Sequence, residues 1–155
     1  MKRIYILCLV SSLLSCSEEK ISDFTFPDID IEFYLKASDG IDLLNPENEQ
    51  ALTETDISIY YLDNINGDNK VKVDQNVYSI SYIDTTHLYR FRTLVNEKTS
   101  NNYSYTTIKW GNRGEDTIKC SIKQPYHIKQ IDTVWINNKL IWEFQEGPRV
   151  FNLIK

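Results

Sequence analysis

Residues 29–36 read Ile-Asp-Ile-Glu-Phe-Tyr-Leu-Lys, and that alternation constrains the chain more than any other feature. A period of two sends Ile29, Ile31, Phe33 and Leu35 to one face and Asp30, Glu32 and Lys36 to the other. Only an extended strand with one wet side accommodates that pattern. Related runs recur at 57–61, 71–73, 77–83, 88–95, 106–110, 118–122, 131–136, 140–144 and 150–154. Turn residues separate them. Ser38-Asp39-Gly40, Asn66-Gly67, Asp84-Thr85-Thr86, Gly111-Asn112-Arg113-Gly114, Asn137-Asn138 and Gly147-Pro148 all favour reversals, and Asn-Gly is the strongest short hairpin signal because both residues tolerate positive φ. Pro125 stops a ladder, since it has no N–H to donate. Residues 41–55 and 96–102 read as loops.

No segment sustains a 3.6-residue period, and no repeat occurs. Short strands punctuated by turns imply an all-β fold, an antiparallel β-sandwich of immunoglobulin-like or transthyretin-like type. A small β-barrel is the alternative, because strand count alone does not separate an open sheet from a closed one.

The beginning of the chain follows different rules. Lys2 and Arg3 precede an apolar run from Ile4 to Leu14 that is about half the roughly 20 residues a helix needs to cross hydrocarbon. A basic start, a short apolar middle and a small residue at the end are the marks of a removable signal. The peptide Leu13-Leu14-Ser15-Cys16 resembles the lipobox of bacterial lipoproteins, in which the cysteine accepts diacylglycerol and becomes the mature N-terminus. The resemblance implies a signal peptide over 1–15 and a lipidated N-terminus and tether over 16–27; the 140 residues left after residue 15 fit one domain, and the strand pattern makes it a single β domain over 28–155. The resemblance also makes Cys16 the lipidation site and the outer membrane the destination, at the periplasmic face or the cell surface. Several acyl chains, each contributing about 0.8 kcal/mol per buried CH₂, would anchor the domain stably. Ser17-Glu18-Glu19 resembles the acidic tag that sends some lipoproteins of Gram-negative gut anaerobes to the outer surface, although any exposed tether is polar and acidic. Within the tether, Phe24 and Phe26 are expected to cover a sheet edge.

Without residues 1–15 the chain keeps 15 basic and 22 acidic residues, a charge of −7. That balance excludes a nucleic-acid partner, for which a concentrated basic face is expected. The charge is unevenly spread: 14 acids stand against 2 bases over 16–69, and 8 against 13 over 70–155. Acidic early strands are therefore expected beside basic late ones, since facing opposite charges contribute about 0.2–1 kcal/mol per pair.

Reactive chemistry is sparse. With Cys8 removed and Cys16 lipidated, Cys120 is left alone among apolar neighbours, so it reads as a core residue. His87 and His127 have no partner at ligand spacing, and the order of acids in Asp63-Asn64-Ile65-Asn66-Gly67-Asp68 does not match a calcium loop. No nucleophile elbow and no phosphate-binding glycine loop occurs. We therefore expect no enzyme, no metal and no cofactor, with the carboxylates forming a solvated face. Tyr60, Tyr78, Tyr82, Tyr89, Tyr103 and Tyr105 lie in or near strands. Sheet packing accounts for them, and a flat platform for sugar rings is the sharper alternative. Asp84-Thr85-Thr86, Asp116-Thr117-Ile118 and Asp132-Thr133-Val134 resemble the acceptor for O-glycosylation of exported proteins in the same bacteria, and turn-to-strand chemistry explains the same residues.

Asp39-Gly40-Ile41-Asp42-Leu43-Leu44-Asn45-Pro46, the run Ile57-Ser58-Ile59-Tyr60-Tyr61-Leu62, and Val134-Trp135-Ile136-Asn137-Asn138-Lys139-Leu140-Ile141-Trp142 together resemble a family of small secreted lipoproteins of gut anaerobes without established activity. The resemblance implies a β-rich domain and supplies no catalytic residue. Function is thus expected to be that of an anchored, non-enzymatic binding or accessory module with a protein or glycan partner. A glycan-binding accessory is the first alternative, and a carboxylate-dependent hydrolase the second.

Overall fold

The computed structural model describes residues 27–64, 66–67 and 69–155. The lipobox with Cys16, the signal over 1–15, and Phe24 and Phe26 of the tether lie outside the described residues. Ten strands follow in order: β1 (Asp30–Lys36), β2 (Ile57–Leu62), β3 (Lys70–Lys72), β4 (Tyr78–Ile83), β5 (Leu88–Leu94), β6 (Tyr103–Trp110), β7 (Glu115–Lys123), β8 (Gln130–Ile136), β9 (Lys139–Glu143) and β10 (Val150–Ile154). They form a four-stranded sheet ordered β10-β1-β5-β4 and a six-stranded sheet ordered β3-β2-β6-β7-β8-β9. Both sheets have free edges and pack face to face. The molecule is a β-sandwich, not a closed barrel.

The strand order has a recognisable logic. When β1 is counted as the second immunoglobulin strand, β1 to β7 follow that fold's order: B, E and D in one sheet, C′, C, F and G in the other. The place of strand A is taken by β10, from the other end of the chain. It pairs with β1 in parallel, Glu32 opposite Val150 and Lys36 opposite Ile154, whereas all other strand pairs are antiparallel. Alternation alone left that one parallel contact unforeseen, because period two is common to both kinds of ladder.

Alternation does set which residues are inside. Ile31, Phe33 and Leu35 are fully buried and meet Phe91 of β5 and Ile59, Ile108, Trp110 and Ile118 of the opposing sheet. Trp110 sits edge-on to two rings, 6.0 Å from Phe33 at 77° and 5.1 Å from Phe91 at 75°. Such pairs contribute about 0.5–1.5 kcal/mol beyond burial. Its Nε1 donates to the buried Asp116 carboxylate at 2.7 Å, so the largest core side chain keeps its polar atom satisfied.

The outward residues of β1 pair as the charge distribution implied. Glu32 reaches Arg90 at 2.8 Å, Asp30 reaches Arg92 at 3.1 Å, and Arg149 pairs with Asp28 and Asp30. Two ends can then be distinguished. Asp28, the 123–130 connection and the 144–149 loop share one, as the bonds from Asp28 N to Lys129 O (2.8 Å) and from Arg149 Nη1 to Asp28 O (3.1 Å) show. The other end gathers the 37–56 loop, the β4–β5 turn and the 111–114 turn, tied by Gly111 N to Asp56 O at 2.9 Å and Arg113 Nη2 to Gln50 O at 3.3 Å.

Candidate functional site

The 41–56 loop is built, not slack. Leu43 and Leu44 are buried and plug the core between the sheets. Asp42 holds the loop with its carboxylate: Oδ1 accepts Leu44 N–H at 2.9 Å and Oδ2 accepts Tyr89 N–H, on β5, at 2.9 Å. Asn48 Nδ2 donates to the Asp42 carbonyl at 2.8 Å, and Asn45 Oδ1 accepts Glu47 N–H at 3.0 Å. The Asp-Leu-Leu-Asn-Pro run is therefore a clamp: two apolar plugs between two side chains that fold the backbone over themselves.

Against this clamp the β4–β5 hairpin projects past the end of the core. Tyr82 and Tyr89 face each other across the strand pair with ring centroids 5.3 Å apart at 56°. The Tyr82 hydroxyl and His87 Nδ1 share a hydrogen bond of 3.0 Å, with His87 at φ 54° in the turn. Asn45, Glu47, Tyr82, His87 and Tyr89 line an open cleft of about 390 Å³. A neighbouring hollow of about 430 Å³ continues it past Tyr89 toward Leu44, Pro46 and Ile80. Tyr82 is 48% exposed, a large ring left open among a carboxylate, an amide and an imidazole. That set offers an apolar face for C–H groups and donors and acceptors for hydroxyls around it. A third hollow, about 600 Å³, lies between Gln50, Asp56 and Arg113. There the Asp56 carboxylate accepts both the Thr53 hydroxyl at 2.7 Å and the Thr53 N–H at 2.8 Å, and these bonds hold its pKa below the ordinary value.

The six tyrosines do not form one platform. Tyr82 and Tyr89 enter the cleft, while Tyr78 is turned inward, donating its hydroxyl to Glu54 O at 2.8 Å with its ring 5.4 Å from Phe91. Tyr60, Tyr103 and Tyr105 stand on the outer side of the six-stranded sheet. The cleft combines positions about forty residues apart in sequence, and neither Asn45 nor Glu47 carries a pattern that would have marked it.

Cys120 is fully buried, and loss of solvent pushes its thiol up to about 12, so it holds no reactive thiolate at neutral pH. His87 and His127 lie at opposite ends of the sandwich, each exposed. Among the described residues no group of three His, Cys, Asp or Glu side chains could hold a metal; Asp68 of the acidic 63–68 turn lies outside them. Of the three threonines, Thr133 is buried within β8, Thr117 is half-buried near the start of β7, and Thr85 is exposed on the β4–β5 turn. A concavity of about 880 Å³, a mainly apolar groove walled by Pro125, Ile128, Ile131 and Phe144, lies at the opposite end.

No helix among the described residues is long and apolar enough to cross a membrane. No protein-family model matches this sequence, and no curated protein or solved structure matches it either.

Proposed function

We propose that this protein is a lipid-anchored binding module of the cell envelope. On this reading it holds a carbohydrate in the cleft beside the β4–β5 hairpin and carries out no chemistry on it. The observation behind the reading is the half-exposed Tyr82 ring, set against Tyr89 and surrounded by Asn45, Glu47 and His87 at the end of the sandwich remote from residue 28. A pyranose has an apolar face and a hydroxyl rim, and this cleft offers the complement of both. The anchor is the diacylglycerol on Cys16, and the outer membrane is the support. A tether entering beside Asp28 leaves the cleft facing away from the bilayer, where a ligand reaches it.

Isothermal titration of the detergent-solubilised protein against a panel of neutral plant and host oligosaccharides tests this. At least one should bind, and Tyr82→Ala should weaken it about tenfold, the loss expected for one stacked ring. Uniform silence across the panel, or binding indifferent to Tyr82→Ala, contradicts the proposal.

A further inference from the structure

The outer side of the six-stranded sheet departs from an ordinary wet face. Leu62, Tyr105, Lys119 and Trp135 stand in register across β2, β6, β7 and β8, a row in which Leu62 and Tyr105 are buried and Lys119 and Trp135 are part-exposed. Two residues earlier on β6, Tyr103 meets Trp135 edge to face, 5.8 Å between centroids at 77°. Lys119 Nζ stands over both rings, 3.8 Å from the centroid of Tyr103 and 4.8 Å from that of Trp135. The adjacent row repeats the theme, with Lys72 opposite Tyr60 and Lys70 Nζ 4.4 Å from the Tyr60 ring.

Charge on this face runs against the rest of the chain. Lys70 reaches Glu115 at 3.4 Å and Lys109 stands opposite Glu115 in register, but Lys72 and Lys119 pair with no carboxylate among the described residues. In a protein with 22 acidic residues, unpaired cations thus gather where the rings are. The surface is also long. Adjacent strands lie roughly 4.8 Å apart, so Tyr60 on β2 and Trp135 on β8 are about 14 Å apart across the sheet, a span suited to a chain of sugars.

We propose that this face binds a linear acidic polysaccharide, with sugar rings lying on Tyr103, Trp135 and Tyr60 and carboxylate or sulfate groups meeting Lys119, Lys72 and Lys109. Energetics favour the exchange. An exposed cation–π contact is weaker than a hydrogen bond between two charged groups, so a ligand carboxylate draws the Lys119 ammonium off the rings and frees them for stacking. The site uses none of the cleft residues and stands apart from the carbohydrate reading of the cleft.

Affinity electrophoresis of the full chain through gels containing polygalacturonate, dextran or polyphosphate tests the inference. The expected result is retardation by polygalacturonate alone, weakened about tenfold by Trp135→Ala and by Lys119→Gln, preserved by Trp135→Phe and untouched by Tyr82→Ala. Lys119→Gln is a surface change that leaves the fold intact, so its effect is separable from misfolding. Equal retardation by polyphosphate reduces the face to plain charge and overturns the proposal. So does absence of polygalacturonate binding, or binding that survives both substitutions. Loss of this binding with cleft titrations intact, or the reverse, separates the fate of the two sites.

Discussion

Asp116 ties three separate parts of the fold together. Only 3% exposed, its carboxylate accepts from Trp110 Nε1 at 2.7 Å and from Asn137 Nδ2 at 2.8 Å, and pairs with Lys155 Nζ at 2.6 Å. One group therefore fixes the core tryptophan, the β8–β9 turn and Lys155, the residue that follows β10. Asp116→Ala should lower unfolding free energy by about 3–5 kcal/mol in urea titration, because it strands a mostly buried ammonium and an indole N–H. Sequence gave no hint of this, since an aspartate before a threonine at a strand start reads as turn chemistry. Cys120 is the opposite case: its apolar neighbours announced a core residue, and it is one. Its thiol titrates near 12 in the fold against an ordinary 9.0, so the folded state holds its proton longer than the unfolded chain does. The stability this gives is complete below pH 9.0 and is lost as pH rises toward about 12. Tyr61, pushed up by burial and by the Glu97 charge, acts in the same sense. Unfolding midpoints measured from pH 7 upward should stay level and then fall above pH 9, and Cys120→Ala should flatten part of that fall. In the native state at pH 8 the thiol should not react with Ellman's reagent; reaction should appear only with denaturant.

At the scale of elements, what was legible was what local chemistry decides. All ten strands fall where alternation put them; in most of them one face lies in the core and side-chain period fixes that face, while β3 is exposed throughout and is held by its pairing with β2. Turns were legible for the same local reason. Asn137 and Asn138 both adopt positive φ, 50° and 66°, the pair that a two-residue hairpin requires. Asn138→Gly should raise the melting temperature slightly, by a few tenths of a kcal/mol in stability, and Asn138→Val should lower it by about 1–2 kcal/mol. Asn137 tolerates less change, since its Oδ1 also accepts Thr117 N–H at 2.9 Å. The 41–56 loop was legible only as a loop. That Asp42 ties it to Tyr89, 47 residues away, is a tertiary fact with no local signature. Asp42→Ala should release the clamp, cost about 1–3 kcal/mol and abolish any binding that depends on Tyr82, whereas Tyr82→Ala should weaken binding about tenfold at a smaller cost in stability.

For the whole molecule, the sandwich was legible and its closure by β10 was not. A chain's last strand lying parallel beside its first is decided by which sheet edge is left open, and no strand's own sequence records that. The candidate site was half legible. Aromatic abundance was visible, but its division between a cleft at one end and the outer face of one sheet depends on which strands neighbour which. The consequence for function is an arrangement of ends: residue 28 enters at one, and the clamp, the β4–β5 turn and the 111–114 turn gather at the other. The functional account makes that first end the membrane end. Fractionation of cells producing the parent chain and Cys16→Ser tests it most directly. The account predicts that the parent sediments with the envelope and the serine variant is released into the soluble fraction; identical sedimentation of the two would contradict it.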